Sequence, residues 1–261
     1  LIIDAVFLPL GLTRDEALVA IGGEISRIRK IAARDGLEVQ QGVSSNSDES
    51  QIFINNSKAQ VKIEIDTVFR GSLLEPARRA LHKVPSDLFA VDVPAQLLQS
   101  DEIYAGKILA ALDRQHPRDL FDIWRLYQHG PINSLMLAAF VVYLCGHNRP
   151  PHEVLNSPNQ AIHETYRTSL LGMIRTDIPS LSVLTDVRSQ SRADVLEGFD
   201  EASREFLMTF FSGSPNWALL PFRNAPSLPA LRWKLMNIEK FKITKPAEFV
   251  RQNDELAKLL F

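Results

Sequence analysis

Only one cysteine, Cys145, stands in 261 residues, so no internal disulfide can form, and six scattered histidines with no paired cysteines supply no zinc framework. A reducing, cytoplasmic setting is the expectation that follows. Long hydrophobic runs are also missing. The longest, Leu135 to Cys145, falls well short of the roughly 20 residues that cross a bilayer, so no membrane partner is expected. Neither charge sign is in excess: 29 Lys and Arg against 31 Asp and Glu leave −2, which excludes a chain that is basic throughout. Glycine, at 12 residues, is too sparse for a collagen-like or low-complexity chain. What is there is ordinary globular material, 45% hydrophobic and 23% charged. At 261 residues it exceeds the roughly 150 of an average domain, so one large or two modest domains are expected. The chain opens on Leu1 rather than Met, shows no charged n-region ahead of an apolar stretch, and reads as a fragment with no visible signal peptide.

The overall charge hides a local imbalance. Between Trp217 and Arg251 seven cations (Arg223, Arg232, Lys234, Lys240, Lys242, Lys245, Arg251) face two acids, Glu239 and Glu248. Trp217, Phe222, Trp233 and Phe241 are interleaved with them. Aromatic faces beside cations suit stacked bases on a groove that tracks a phosphate backbone. The same pattern also describes an amphipathic helix with apolar anchors and a solvated basic face.

Along the chain, the apolar run 1–9 reads as a strand that carries one charge, Asp4. Thr13 and Glu16 form a capping box, and Leu18, Ile21, Ile25, Ile28 and Ile31 recur at helical spacing, so a helix is expected to run to about Arg34 and stop before Gly36. A strand over 37–40, a polar loop over 41–50 and a hairpin of 52–54 with 61–69 follow, turning at Asn55-Asn56-Ser57. In the second hairpin strand Val61, Ile63 and Ile65 take one face and Lys62, Glu64 and Asp66 the other, because strand side chains alternate. A short helix over 73–82 and a strand over 88–93 come next, and helices then dominate: 101–115, 118–129, 133–146, 159–172, 200–212, 228–240 and 246–260. An α/β domain over 1–97, incomplete at its N-terminus, followed by a helical domain over 98–261 is the expected organisation.

Two groups carry chemistry. Asp4, Glu64 and Asp66 form an acidic set if their strands pair, and oxygen clusters of that kind hold magnesium together with substrate phosphates. A half-exposed strand shows the same alternation without binding anything. The second group is Lys107 with Arg118, Asp119 and Asp122, at the start of a helix opened by Pro117. Lys107 can hold phosphates across a tight corner between helices, or these charges can merely brace the corner. Cys145 lies in an apolar segment and is read as core, not nucleophile.

The stretch from Lys107 through Arg118-Asp119 to Asp122 resembles the Lys…Arg-Asp-x-x-Asp block of the AbiEii family of nucleotidyltransferase toxins, from type IV toxin-antitoxin systems. Val61-Lys62-Ile63-Glu64-Ile65-Asp66 with Phe69-Arg70-Gly71 is similar to the strand that supplies that family's third acidic position, and Leu228-Pro229-Ala230-Leu231-Arg232-Trp233-Lys234 to its late helix. The resemblance implies an α+β, nucleotidyltransferase-like (DNA-polymerase-β-like) fold, a mixed sheet domain followed by an all-helical one. It implies transfer of a nucleotide from an NTP to an RNA acceptor, a tRNA 3′ end, with Mg²⁺, and a cognate antitoxin as partner. By the same resemblance Asp4, Glu64 and Asp66 are metal ligands, and Glu64 or Asp66 activates the attacking hydroxyl. Lys62, Lys107 and Arg118 bind the nucleotide, and Asp119 with Lys107 is essential for transfer. Ile2 stands where the family's first metal-binding aspartate is expected. A degenerate relative that binds RNA or an antitoxin without catalysis is the competing expectation.

Overall fold

The computed structural model describes residues 2–42, 49–66, 68–174 and 177–261. By internal contacts the chain divides into two compact units: residues 1–72 with 227–232, and residues 73–226 with 233–261.

The first unit is a four-stranded mixed sheet with one long helix. Strands β1 (Ile2–Val6), β2 (Glu38–Gly42), β3 (Glu49–Asn55) and β4 (Gln60–Asp66) lie in the order β1-β4-β3-β2, with β1 parallel to β4 and the other pairs antiparallel. Helix α1 (Arg14–Arg34) starts at the expected capping box: Thr13 N–H donates to Glu16 Oε2 at 2.8 Å, and Glu16 N–H donates to Thr13 Oγ1 at 3.3 Å. It ends ahead of Gly36, whose φ of +69° suits a residue without Cβ. Ile21 and Ile25 of α1 pack with Ile52 and Ile65, joined by Ala5, Phe7, Val39 and Ile63. That single apolar face is the unit's core, so strand alternation turns Asp4, Lys62 and Glu64 to the opposite face. The expected loop over 41–50 is strand at both ends, and its middle, 43–48, lies outside the described residues.

The second unit is helical except for one small excursion. Strands β5 (Ala77–Arg79) and β6 (Ala95–Leu97) pair antiparallel around α2 (Lys83–Phe89). This reverses two expectations, since 77–79 is strand where a helix was expected and 83–89 is helix reaching into the expected strand. These segments are too short for periodicity to separate the two, and Pro85 occupies the first turn of α2, where its missing N–H costs nothing. Helices α3 (Ser100–Arg114), α4 (Pro117–Tyr127), α5 (Ser134–Gly146), α6 (Pro151–Leu155), α7 (His163–Ser169), α8 (Leu181–Gly198), α9 (Glu201–Phe211), α10 (Pro229–Thr244, of which 233–244 belong to this unit) and α11 (Pro246–Leu260) follow. Helix α5 is apolar almost all round and forms the centre, burying Phe140, Val141, Leu144 and Cys145, with α3, α8 and α9 packed against it. Burial pushes the Cys145 thiol well above its ordinary pKa, which makes it an inert core side chain. No helix among the described residues is long and apolar enough to cross a membrane.

Candidate active site

Strand pairing decides the geometry of the acidic face. Because β1 runs parallel to β4 in the register Asp4 to Glu64, these two carboxylates are direct cross-strand partners, while Ile2 is partnered with Lys62 and Val6 with Asp66. Asp4 is exposed and Glu64 half-buried. Glu64 is not idle: Lys62 Nζ lies 2.5 Å from its Oε1, and Gln51 Nε2 donates to the same oxygen at 3.3 Å. Lys62 also sits 5.8 Å from the centre of the Phe53 ring, its cross-strand neighbour. Asp66 is engaged differently. Its Oδ1 accepts the backbone N–H groups of Val68 at 2.7 Å and Phe69 at 2.8 Å, an Asx turn that closes the strand. The strand therefore offers Asp4 and Glu64 side by side, with Asp66 turned to the local backbone. Among the described residues no group of three or more His, Cys, Asp or Glu side chains is arranged to hold a metal ion.

In the second unit the corner between α3 and α4 is built on Gln115, a buried residue with φ of +51°. Its amide donates to Ser157 Oγ and to Pro158 O, both at 2.9 Å, and its Oε1 accepts from Gln160 N–H at 3.0 Å and Arg188 Nη1 at 3.2 Å. These bonds fix a left-handed conformation that a non-glycine residue seldom takes. Helix α4 then begins on Pro117, with His116 Nδ1 accepting from Arg118 N–H at 3.2 Å. Two ion pairs cross the corner. Arg114 grips Asp119 with both ends of its fork, Nη2 to Oδ1 at 2.7 Å and Nε to Oδ2 at 3.0 Å. Lys107 Nζ reaches Asp122 Oδ2 at 2.9 Å, with both side chains partly open to solvent. Arg118 is exposed.

The four candidates at this corner thus fall into two kinds. Asp119, only 7% exposed, is committed to Arg114, whereas Lys107, Asp122 and Arg118 present charge to solvent. Arg114 and Gln51 are partners that sequence reasoning missed. Each had a signal: Gln51 faces Glu64 once the hairpin turns at Asn56, and Arg114 comes directly before the residue that makes the corner.

The basic C-terminal segment also divides. Trp217 packs on Phe206 and Phe210, Phe222 is 4% exposed, and Phe241 meets Phe249, so of the four interleaved aromatics Trp233, at 57%, is the one left open. Lys234 turns inward, donating to His147 O at 2.6 Å and Asn148 O at 3.3 Å, while Lys240, Lys242, Lys245 and Arg251 stay exposed.

The family model described as Nucleotidyl transferase AbiEii toxin, Type IV TA system, matches residues 3–237. No curated protein matches the chain. The solved structure of MenT4, a nucleotidyltransferase toxin of Mycobacterium tuberculosis H37Rv, is similar to it with a TM-score of 0.49 and 15% identity, over 78% of this chain and 68% of that one. The family match runs from β1 into α10 and takes in the Asp4–Glu64 pair and the α3–α4 corner alike: the chain is a nucleotidyltransferase that belongs to the AbiEii toxin family of type IV toxin–antitoxin systems.

Proposed function

We propose that the chain transfers a nucleotidyl group from an NTP to the terminal hydroxyl of an RNA acceptor, a tRNA 3′ end, and that a cognate antitoxin opposes the resulting growth arrest. The observation that carries this reading is the in-register pairing of Asp4 with Glu64 on adjacent parallel strands, on the face away from the core. Two neighbouring carboxylates suit a magnesium ion that keeps the triphosphate among its ligands, since magnesium needs only one or two protein carboxylates beside phosphate oxygens. When bound, that ion supplies charge neutralisation on the phosphates.

The chain's own residues supply the rest. Glu64 takes the proton of the attacking hydroxyl as its oxygen bonds the α-phosphorus, and the bond to the bridging oxygen breaks to release pyrophosphate. Lys62, now held by Glu64, is placed to follow the negative charge of the phosphates. In the second unit Lys107, its ammonium oriented by Asp122, and exposed Arg118 present cations that suit phosphate. Asp119 keeps the corner rigid through Arg114. Catalysis of this kind rests on positioning and on charge placed before the reaction begins.

Ile2 beside Lys62, where a first aspartate is expected, favours a second reading in which RNA or antitoxin is bound without transfer. Labelled NTP, total RNA and Mg²⁺ separate the two: incorporation that Glu64→Gln and Lys107→Ala abolish supports transfer, and none by the folded wild-type chain supports binding alone.

A further inference from the structure

One row of side chains crosses all four strands of the sheet on the face away from the core. Through the strand register Asp4 is partnered with Glu64, Glu64 with Gln51, and Gln51 with Gly42. The neighbouring row is Ile2, Lys62, Phe53 and Gln40. Glu64 therefore has Asp4 on one flank and Gln51 on the other, at the separation where cross-strand side chains interact. Among the described residues two donors reach it, and both use one oxygen: Lys62 Nζ lies 2.5 Å from Oε1, and Gln51 Nε2 donates to Oε1 at 3.3 Å. That leaves Oε2 without a donor among the described residues.

The two donors differ in how they are held. Lys62 carries its charge on a flexible stem, with the ammonium 5.8 Å from the centre of the Phe53 ring, and that charge is drawn to phosphate. Gln51 is half-buried and its amide has a seat. A Cβ added to Gly42 would lie 3.4 Å from Gln51 Oε1, 3.2 Å from Gln51 Cβ and 2.8 Å from Phe53 Cε2. The side chain that Gly42 lacks is thus the space beside which the amide lies, with Oε1 towards Gly42 and Nε2 against Glu64. An amide is neutral, so arriving phosphates do not draw it off as they draw an ammonium.

We propose that Gln51 is the positioning residue of the Asp4–Glu64 face: when Lys62 leaves Glu64 for the phosphates of the incoming NTP, Gln51 keeps Oε1 engaged and so keeps the carboxylate turned with Oε2 open to the ion. The assignment rests on the transfer reading above for what Glu64 does, and it gives Gly42 the task of making room for the amide. Partners that orient a metal ligand typically change metal affinity about 10- to 100-fold when removed, and a bond as long as 3.3 Å places Gln51 at the lower end.

The test is Mn²⁺ binding to the full chain without nucleotide, followed by loss of the free-ion electron paramagnetic resonance signal. Wild type should bind an ion that Glu64→Gln loses. Gln51→Met, of similar reach but without the donor, should bind it about tenfold more weakly at unchanged stoichiometry and melting temperature, whereas a merely structural defect would lower the stoichiometry. Gly42→Ala, which displaces the amide, should follow Gln51→Met. Lys62→Met also takes a donor from Oε1, yet it removes a competing cation and should bind Mn²⁺ at least as tightly as wild type. No ion bound by wild type, wild-type affinity in Gln51→Met, or an equal loss in Lys62→Met overturns the proposal. The transfer reading fails separately: Mn²⁺ binding weakened in Gln51→Met, in a chain that incorporates no nucleotide into RNA, keeps Gln51 as the holder of Glu64 and removes the reaction.

Discussion

Replacing Asp119 by alanine tests whether the α3–α4 corner is braced or catalytic at that position. The carboxylate is 7% exposed and takes both arms of Arg114, at 2.7 and 3.0 Å, so its removal deletes a bidentate, charge-assisted contact in the first turn of α4. Hydrogen bonds to charged groups contribute about 1.5–3 kcal/mol, but the Arg114 side chain is 62% exposed, and solvent screening lowers the expected loss to about 2 kcal/mol. For a folding unit of roughly 150–250 residues this corresponds to a melting temperature lower by ~4–8 °C. Lys107→Ala removes a pair whose side chains are 40% and 35% exposed, expected to matter by about 0.5 kcal/mol, or ~1–2 °C. Thermal melts of both variants, run beside nucleotide incorporation, should therefore show Asp119→Ala destabilised with activity lost as structure is lost, and Lys107→Ala inactive while still folded. Arg114→Ala should be worse than Asp119→Ala for stability, because it leaves the carboxylate buried without its cation. If Asp119→Ala melts like wild type and yet transfers nothing, the carboxylate works on substrate, and the assignment of roles at this corner is wrong.

Three further outcomes follow from other parts of the structure. Glu102, 1% exposed, accepts the backbone N–H groups of Leu73 at 2.7 Å and Leu74 at 3.1 Å; Glu102→Ala strands these donors and should lower stability by about 2–4 kcal/mol in chemical denaturation, and an unchanged midpoint would contradict this. Desolvation, with Lys234 and Arg149 beside it, holds the His147 imidazole below its ordinary 6.5 despite the opposing Asp113 carboxylate, so the unfolded chain binds the proton more readily: stability present above pH 6.5 should fall on acidification, and His147→Gln should flatten part of that slope in melts at pH 7.5 and 5.5. The burial-lowered His116 and His152 imidazoles leave the remainder of the slope. Replacing Lys240, Lys242 and Lys245 together by Gln should reduce the slope of log affinity for single-stranded RNA against log salt by roughly 2, and an unaltered slope would remove these lysines from the phosphate contacts.

Elements long enough to show a period were legible. The capping box and isoleucine spacing of α1, and the alternation of β4, placed both within a few residues, and the pairing of β1 with β4 that brings Asp4 beside Glu64 is what a shared acidic face requires. Helix α8 was not seen, because its buried stripe of Leu184, Val187, Arg188, Ser191 and Val195 mixes polar with apolar side chains and so shows little hydrophobic period. Arg188 is buried there because it serves Gln115 and Gln160 O, a long-range reason that no local window contains. The same limit applied at the corner. Spacing alone made Arg118 and Asp122 neighbours on α4, whereas the left-handed Gln115 swings Arg114 onto Asp119 and Lys107 onto Asp122. In the C-terminal segment composition flagged four aromatics alike, and only packing separates Trp233 from the three that hold helices together.

Nucleotide incorporation measures the central claim most directly. The purified full chain, given radiolabelled NTP, Mg²⁺ and total tRNA, should extend or cap the RNA 3′ end, and Glu64→Gln should abolish the label while melting within about 2 °C of wild type. Label that persists in Glu64→Gln, or never appears with any of the four NTPs in a chain that is folded, would contradict the assignment of transfer to the Asp4–Glu64 face.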